Sequence, residues 1–311
     1  MSCEPLGQYV PDVVDPGTAN GEESEMCSLR TYIAKPNFDR NIAPIVVIIP
    51  DAFGWTFDNA RIMAEEYASR GNFLVLVPDF MNGDHADERI LASMDQFNAP
   101  DVSLFKKVLL GSQALKRLLP FLYRNRRSVV QQRILSFFET LRNDNTRPIG
   151  VAAFGWGGLY AIQLTHPRLS ATPGRRTLVD AAFVAHPTSA KVPDDFDLVS
   201  VPLSFAIGTE DILVKSSRVN TIREILSRNA SPTVEHETVL YQGAKHGFAM
   251  RGNQENREER VAGLQAVDQA VAWFVRWLHH TPQETQGLPA SDDTVTPPIY
   301  TSGPREEDVQ L

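Results

Sequence analysis

The chain has 311 residues, of which 42% are apolar and 22% are charged, and its formal net charge is −8. These values are ordinary for a globular protein and exclude a wholly disordered or fibrous chain. The acidic balance argues against a nucleic-acid partner. No apolar run approaches the ~18 residues of a membrane-spanning helix, so we expect no membrane partner.

The N-terminal sequence and the cysteines predict a cytoplasmic protein. Residues 1–11 contain neither a basic segment nor the apolar stretch of a secretory signal. The two cysteines, Cys3 and Cys27, are too few for a disulfide framework and suit a reducing compartment.

Composition divides the chain into three parts. Residues 1–25 are polar and contain Gly and Pro, which predicts a loose N-terminal arm. Residues 281–311 carry five prolines and six acidic residues against one arginine, which predicts a disordered acidic tail. Residues 26–280 between them are predicted to form a single domain.

Short apolar runs alternate with helical patterns through this domain. The predicted strands cover residues 45–49, 73–77, 149–154, 181–185, 203–207 and 238–241, and the predicted helices cover 58–69, 216–227 and 257–279. The strand runs are rich in Val, Ile and Phe, as parallel strands covered on both faces should be. The alternation predicts an α/β fold with a doubly wound, mostly parallel sheet and helices on both faces.

Residues 102–143 are predicted to be a helical insertion with clustered positive charge. Its cations include Lys116, Arg117, Arg124, Arg126, Arg127 and Arg133. We favour a solvated helix face. The alternative is a cap helix that presents cations to an acidic ligand.

The residues that follow the predicted strands define a candidate site. In an open α/β sheet, ligands bind beyond the carboxyl ends of the strands. The residues found there are Asp51, Asp79, Gly155, His186, Asp211 and His246. We interpret Asp79 and His186 as supports for their loops rather than as functional groups.

The run from Gly150 to Gly158 has the pattern of a nucleophile elbow, a sharp strand-to-helix turn surrounded by small residues. The residue at the tip of such a turn faces the pocket and is normally the nucleophile. Here that residue is Gly155, which has no side chain to attack with. Asp211 and His246 follow in the chain order of α/β-hydrolases, in which the acid orients the histidine.

Six segments together resemble the dienelactone hydrolase family, and its fungal members most. They are residues 50–54, 77–84, 154–158, 186–187, 208–211 and 246–252. The resemblance implies an α/β-hydrolase fold and the hydrolysis of small lactones or enol esters by a Cys-His-Asp triad. No cofactor and no metal is implied.

The resemblance also assigns roles to individual residues. His246 matches the base and Asp211 its orienting acid, while the backbone N–H groups of Trp156 and Ala52 match the oxyanion hole. Two further positions are assigned to substrate binding: Asp51 matches a glutamate of bacterial members, and Arg251 lies one place beyond their substrate-binding arginine. From residue type alone, Trp55 and Trp156 are expected to line the pocket, with ordinary aromatic packing as the default alternative. Gly155 occupies the position of the catalytic cysteine.

Three functional hypotheses remain open because the nucleophile is missing. The first, which we favour, is an enzyme in which His246 acts as a general base on a small, polyketide-like substrate or on a water molecule, giving hydrolysis, isomerisation or a lyase-type reaction. The second is an inactive relative that binds a small molecule. The third is an ordinary hydrolase in which Gly155 is an engineered or erroneous residue. The sequence does not determine the oligomeric state.

Overall fold

The computed structural model describes residues 19–37, 42–90, 102–167, 177–251 and 257–279. The predicted acidic tail and most of the predicted N-terminal arm lie outside these ranges. No helix in the described ranges is both long enough and apolar enough to cross a bilayer.

Eight strands form one sheet in the order β1-β2-β4-β3-β5-β6-β7-β8. The strands are β1 (Glu22–Met26), β2 (Leu29–Ala34), β3 (Ile45–Ile49), β4 (Leu74–Pro78), β5 (Ile149–Phe154), β6 (Ala181–Ala185), β7 (Leu203–Gly208) and β8 (His236–Tyr241). β1 and β2 run antiparallel to their neighbours, and the other strands pair in parallel. The predicted mostly parallel sheet is therefore confirmed.

Seven α-helices lie between the strands or after the last of them. They are α1 (Asp58–Gly71), α2 (Leu104–Arg124), α3 (Arg127–Asp144), α4 (Gly158–Leu164), α5 (Ser216–Asn229), α6 (Phe248–Arg251) and α7 (Arg257–Leu278), all within the described ranges. α3, α4 and α5 contribute to the core cluster on one face of the sheet, and α1 and α7 contribute to the cluster on the other face. The central strands are buried on both faces, which explains their continuous apolar runs.

The first hairpin differs from the sequence prediction. Residues 22–25, assigned above to the loose arm, lie in β1 and pair with β2. Cys27 and Ser28 form the tight turn between the two strands with positive φ angles of 47° and 65°. Two-residue hairpins favour this backbone geometry, but the usual Asn-Gly or Asp-Gly signature is missing, so the pattern gave no hairpin signal.

The insertion at residues 102–143 consists of α2 and α3, which pack differently. α3 buries Val130, Ile134, Phe137 and Phe138 in the core. α2 buries only Leu110 and Phe121. Two of the predicted cations pair with carboxylates of the preceding loop, since Arg124 lies 2.9 Å from Asp84 and Arg117 lies 3.9 Å from Asp87.

Candidate functional site

Strand register brings the candidate residues to one edge of the sheet. Ile49 pairs with Ala153, so Asp51 and Gly155 each lie two residues beyond a matched pair. Phe154 pairs with Ala185, so Gly155 and His186 each follow the last matched pair of β5 and β6. Asp211 and His246 lie in the loops after β7 and β8. The predicted convergence of these residues is therefore what the topology produces.

The elbow after β5 continues through one 3-10 turn into α4. Its small residues are required by close approach: a Cβ on Gly157 would lie 2.4 Å from the Ile49 carbonyl oxygen, and one on Gly158 would lie 2.6 Å from Pro187 Cβ. Gly155 is different. Its φ of +47° suits glycine, yet an added Cβ would lie 3.2 Å from Asp51 Cβ, a contact that a small shift relieves.

His246 and Asp211 form the predicted dyad. His246 Nδ1 donates to Asp211 Oδ2 at 3.0 Å, which leaves Nε2 as the nitrogen directed at the elbow. A Cβ on Gly155 would lie 3.8 Å from this Nε2. The dyad therefore has the geometry of a histidine base that is held in one tautomer by a carboxylate.

The environment of Asp211 keeps its carboxylate charged. Its Oδ1 accepts the backbone N–H groups of Leu213 and Val214 at 2.8 and 3.2 Å. Burial by itself raises the pKa of Asp211, but the hydrogen bond and charge of His246 and the two N–H groups outweigh it, so the pKa is lowered overall. A charged Asp211 stabilises the imidazolium that forms when His246 takes up a proton.

Asp51 and Arg251, both predicted to contact substrate, are paired with each other. Arg251 Nε lies 2.7 Å from Asp51 Oδ2; the Asp51 side chain is buried and the Arg251 side chain is partly buried. The other carboxylate oxygen of Asp51 accepts the Phe53 N–H at 3.0 Å, and the guanidinium stacks over the Phe53 ring at 5.2 Å. Burial raises the pKa of Asp51, and the charge of Arg251 opposes this rise. The ion pair occupies the groups that the sequence assigned to substrate.

His186 is the site residue that sequence reasoning missed, since we interpreted it as a loop support. Its side chain is fully buried, and neither ring nitrogen has a hydrogen-bond partner among the described residues. Nδ1 would lie 3.7 Å from a Cβ on Gly155, and the ring centroid lies 5.1 Å from that of His246. Two imidazoles therefore face the position of the missing nucleophile. The sequence signal was the position of His186 immediately after β6.

The protonation of His186 predicts a pH-dependent stability. Burial, together with His246 and Arg251, lowers the pKa of His186 well below its usual value. The partly buried His236 is shifted in the same direction, to a pKa of about 4. Below about pH 6.5 the unfolded chain binds protons that the folded chain does not, so stability decreases as the pH falls.

We expect urea unfolding to show this loss of free energy between pH 7 and pH 5, with a slope of at most about 1.4 kcal/mol per pH unit for His186. His236→Asn should reduce the slope without removing it. A free energy of unfolding that is constant or rises as the pH falls through this interval would contradict the assignment of a neutral His186.

The predicted oxyanion donors lie in the loops after the neighbouring strands β3 and β5, and both residues pack against the cluster around Phe53. Ala52 and Trp156 each follow the matched pair of Ile49 and Ala153 by three residues. The Trp156 ring contacts Tyr160 and Phe121 with centroid distances of 4.9 and 6.0 Å. These aromatic rings form an apolar wall beside the elbow.

Two other predicted residues are engaged in structural contacts. The Trp55 side chain is buried, with the guanidinium groups of Arg30 and Arg61 at 5.3 and 5.1 Å from its ring. These contacts support packing and give no support to its predicted role in substrate binding. Asp79 accepts hydrogen bonds from Arg30 and from the Gly83 N–H, in agreement with the predicted loop support.

No other thiol or metal cluster replaces the missing nucleophile in the described ranges. Cys27 lies in the turn between β1 and β2 at the edge of the sheet, far from β5 in strand order. No group of three or more His, Cys, Asp or Glu side chains among the described residues is arranged to hold a metal ion.

The sheet order, the elbow and the ordered acid and histidine together define an α/β-hydrolase fold. The sequence profile of the dienelactone hydrolase family matches residues 29–280. The chain is therefore a member of the dienelactone hydrolase family.

Individual relatives are distant but cover most of the chain. Hydrolase pyvD of Aspergillus violaceofuscus is 25% identical over 262 residues, which is 84% of this chain and 92% of the relative. The carboxymethylenebutenolidase homolog of Xenopus tropicalis is 24% identical over 265 residues, 84% and 91% of the two chains. The crystal structure of a dienelactone hydrolase-like promiscuous phosphotriesterase from metagenomic libraries has a TM-score of 0.51 at 17% identity and covers 83% of this chain and 98% of that one.

Proposed function

We propose that this protein hydrolyses small lactones or enol esters without forming a covalent acyl-enzyme. The observation that carries the proposal is the intact His246–Asp211 dyad, whose Nε2 faces the side-chain position of Gly155. A base that retains its orienting carboxylate is equipped to activate a water molecule in place of a protein nucleophile.

In the proposed reaction, water binds above Gly155 between His246 Nε2 and His186 Nδ1. His246 takes a proton from the water while its oxygen forms a bond to the carbonyl carbon. The N–H groups of Trp156 and Ala52 bind the resulting oxyanion. The carbon–oxygen bond of the ester then breaks, and the departing oxygen takes the proton from His246. The products are the acid and the alcohol or enol, and the enzyme returns to its starting state.

His186 acts in this scheme through a hydrogen bond rather than through charge. Its lowered pKa keeps the imidazole neutral, so one ring nitrogen donates or accepts toward the water. A positive charge at this position would compete with proton uptake by the neighbouring His246. General-base catalysis typically contributes about 10²- to 10⁴-fold, and loss of one oxyanion donor costs about 10²- to 10³-fold. These contributions are sufficient for a slow hydrolase.

The surroundings of the site favour a neutral, planar substrate. Because Arg251 is paired with the buried Asp51, a substrate carboxylate would have to compete with this carboxylate for the guanidinium. The aromatic wall formed by Trp156, Phe121 and Tyr160 suits a conjugated ring, as in a polyketide-like lactone. Two relatives named as hydrolases come from the fungi Aspergillus violaceofuscus and Talaromyces stipitatus, which supports a role in fungal small-molecule metabolism.

The proposal is tested in ¹⁸O-labelled water by following the alcohol and acid released from aryl esters and the single hydroxy acid formed from small aromatic lactones. We expect the alcohol and the acid from the esters to appear at equal rates without a burst, the label to enter the carboxyl group of each product, and the protein mass to remain unchanged throughout. Substrate conversion without incorporation of the label would instead indicate an isomerase or lyase that uses the same base. A protein that binds these compounds but converts none of them would be the binding protein of the second hypothesis.

A further inference from the structure

α2 exposes a large apolar surface that the fold does not use. We define the outer face of α2 as eight exposed apolar residues: Leu104, Phe105, Val108, Leu109, Leu115, Leu119, Leu122 and Tyr123. Their exposed fractions range from 46% for Leu109 to 80% for Phe105. Eight of the fourteen exposed large apolar residues in the described ranges therefore lie on one helix. Monomeric proteins rarely expose apolar residues in contiguous patches of this kind.

The outer face is separate from the side of α2 that packs on the protein. Leu110, Leu118 and Phe121 lie on the packed side, where Leu118 and Phe121 belong to the cluster around Phe53 and Trp156. At about 100° per residue, the outer residues are centred on the opposite side of the helix. Contact with the domain therefore does not explain why the outer residues are apolar.

The charge carried by this segment is one-sided. Residues 102–138 contain eight Lys and Arg residues and no Asp or Glu, although the whole chain has a net charge of −8. Lys116 lies within the outer face and Lys106 lies along one edge of it, whereas Arg124 at the same edge is paired with Asp84. A helix with Leu and Phe on one side and Lys and Arg beside them is typical of helices that lie in the interface of an anionic bilayer.

We propose that the outer face of α2 binds the surface of an anionic lipid bilayer, with the helix axis parallel to the membrane. The apolar side chains enter the boundary between headgroups and acyl chains, and Lys106 and Lys116 contact the lipid headgroups. The expectation of no membrane partner rested on the lack of a spanning segment, which a helix lying on the surface does not need. A symmetric pair of α2 helices would bring the same positive charges together, so a second copy of the chain is the less favoured occupant.

The test is flotation of the full-length protein with vesicles of phosphatidylcholine alone and of phosphatidylcholine with phosphatidylserine. We expect binding to the anionic vesicles that weakens with added salt. The double substitution Leu115→Glu with Leu119→Glu should reduce the partition coefficient more than about tenfold. Lys116→Gln should reduce it about fivefold, the equivalent of one surface charge. Because these side chains are exposed, the variants should retain the thermal unfolding midpoint of the parent protein.

Leu198→Glu is the matched control, since Leu198 is 57% exposed but lies outside α2. This variant should bind the vesicles like the parent. The inference is overturned if the parent protein does not float with anionic vesicles, or if Leu198→Glu reduces binding as much as the double α2 substitution. It is also overturned if light scattering shows a dimer that the double substitution dissociates while the vesicles bind no protein. The test does not depend on the reaction proposed above.

Discussion

Replacing Gly155 with cysteine is expected to give a protein that forms a covalent acyl-enzyme with small aryl esters. The Cβ would lie 3.8 Å from His246 Nε2, so the sulfur, one bond further out, comes within hydrogen-bond reach of the base. The positive φ and the 3.2 Å contact with Asp51 Cβ should cost about 1–3 kcal/mol of stability, which a domain of this size tolerates. Loss of a nucleophile costs a serine protease about 10⁶-fold in kcat, so restoring one should increase ester cleavage by at least about 10²-fold.

Rapid mixing should show a burst of about one alcohol per protein, together with a mass increase equal to the acyl group. Gly155→Ala is the matched control, because it introduces the same Cβ and the same backbone strain without a sulfur atom. It should remain folded and show no burst. A folded Gly155→Cys protein without a burst would mean that the site no longer accepts esters. Activity at the level of ordinary family members would instead favour the hypothesis that Gly155 replaced a natural cysteine.

Replacing His246 with alanine is expected to reduce the native reaction by about 10²- to 10⁴-fold, the usual contribution of a general base. The fold should survive, because the Asp211 carboxylate keeps its hydrogen bonds from Leu213 and Val214. The reaction is measured as kcat/KM with the substrate identified by the labelled-water experiment. The thermal unfolding midpoint of the variant is measured alongside to show that it remains folded.

Two further variants determine whether this loss is specific to the dyad. Asp211→Asn leaves an isosteric partner for His246 but removes the charge that fixes the tautomer, and in a serine protease the analogous change lowers kcat about 10⁴-fold. His166→Ala removes a histidine that is hydrogen-bonded to the Asp195 carbonyl oxygen, and it should leave kcat unchanged. Equal turnover by the parent and His246→Ala proteins would exclude general-base catalysis by His246. If ligand affinity changed while no protein showed turnover, the chain would be a binding protein.

The central part of the fold is predictable from the sequence because its strands are buried on both faces. β3, β5, β6 and the start of β7 coincide with apolar runs, and the turns after them carry polar or small residues. The outer hairpin was not predictable in the same way. β1 is mostly exposed, with three glutamates among its five residues. It is a strand because it pairs with β2, and its own sequence carries no strand pattern.

At the site, too, the features that the sequence did not predict depend on contacts between residues distant in the chain. The order of the elbow, Asp211 and His246 along the sequence could be recognised without a structure. The pairing of Asp51 with Arg251 joins residues 200 positions apart, and it is decided by side-chain packing that no local pattern reports. His186 resembles any residue that ends a strand, because its burial and its lack of hydrogen-bond partners among the described residues depend on how the neighbouring loops pack.

The elbow glycines differ in how much space they leave for a side chain, and residue 155 is the one that can be substituted. A side chain at Gly157 or Gly158 would meet backbone or proline atoms, whereas the space above Gly155 is bordered by the Asp51 Cβ and two imidazoles. Selenocysteine, serine or a synthetic amino acid introduced at position 155 would lie beside His246 Nε2, which can accept its proton, while the other elbow glycines are unchanged. The protein therefore allows different nucleophiles to be compared at the same position of the same site.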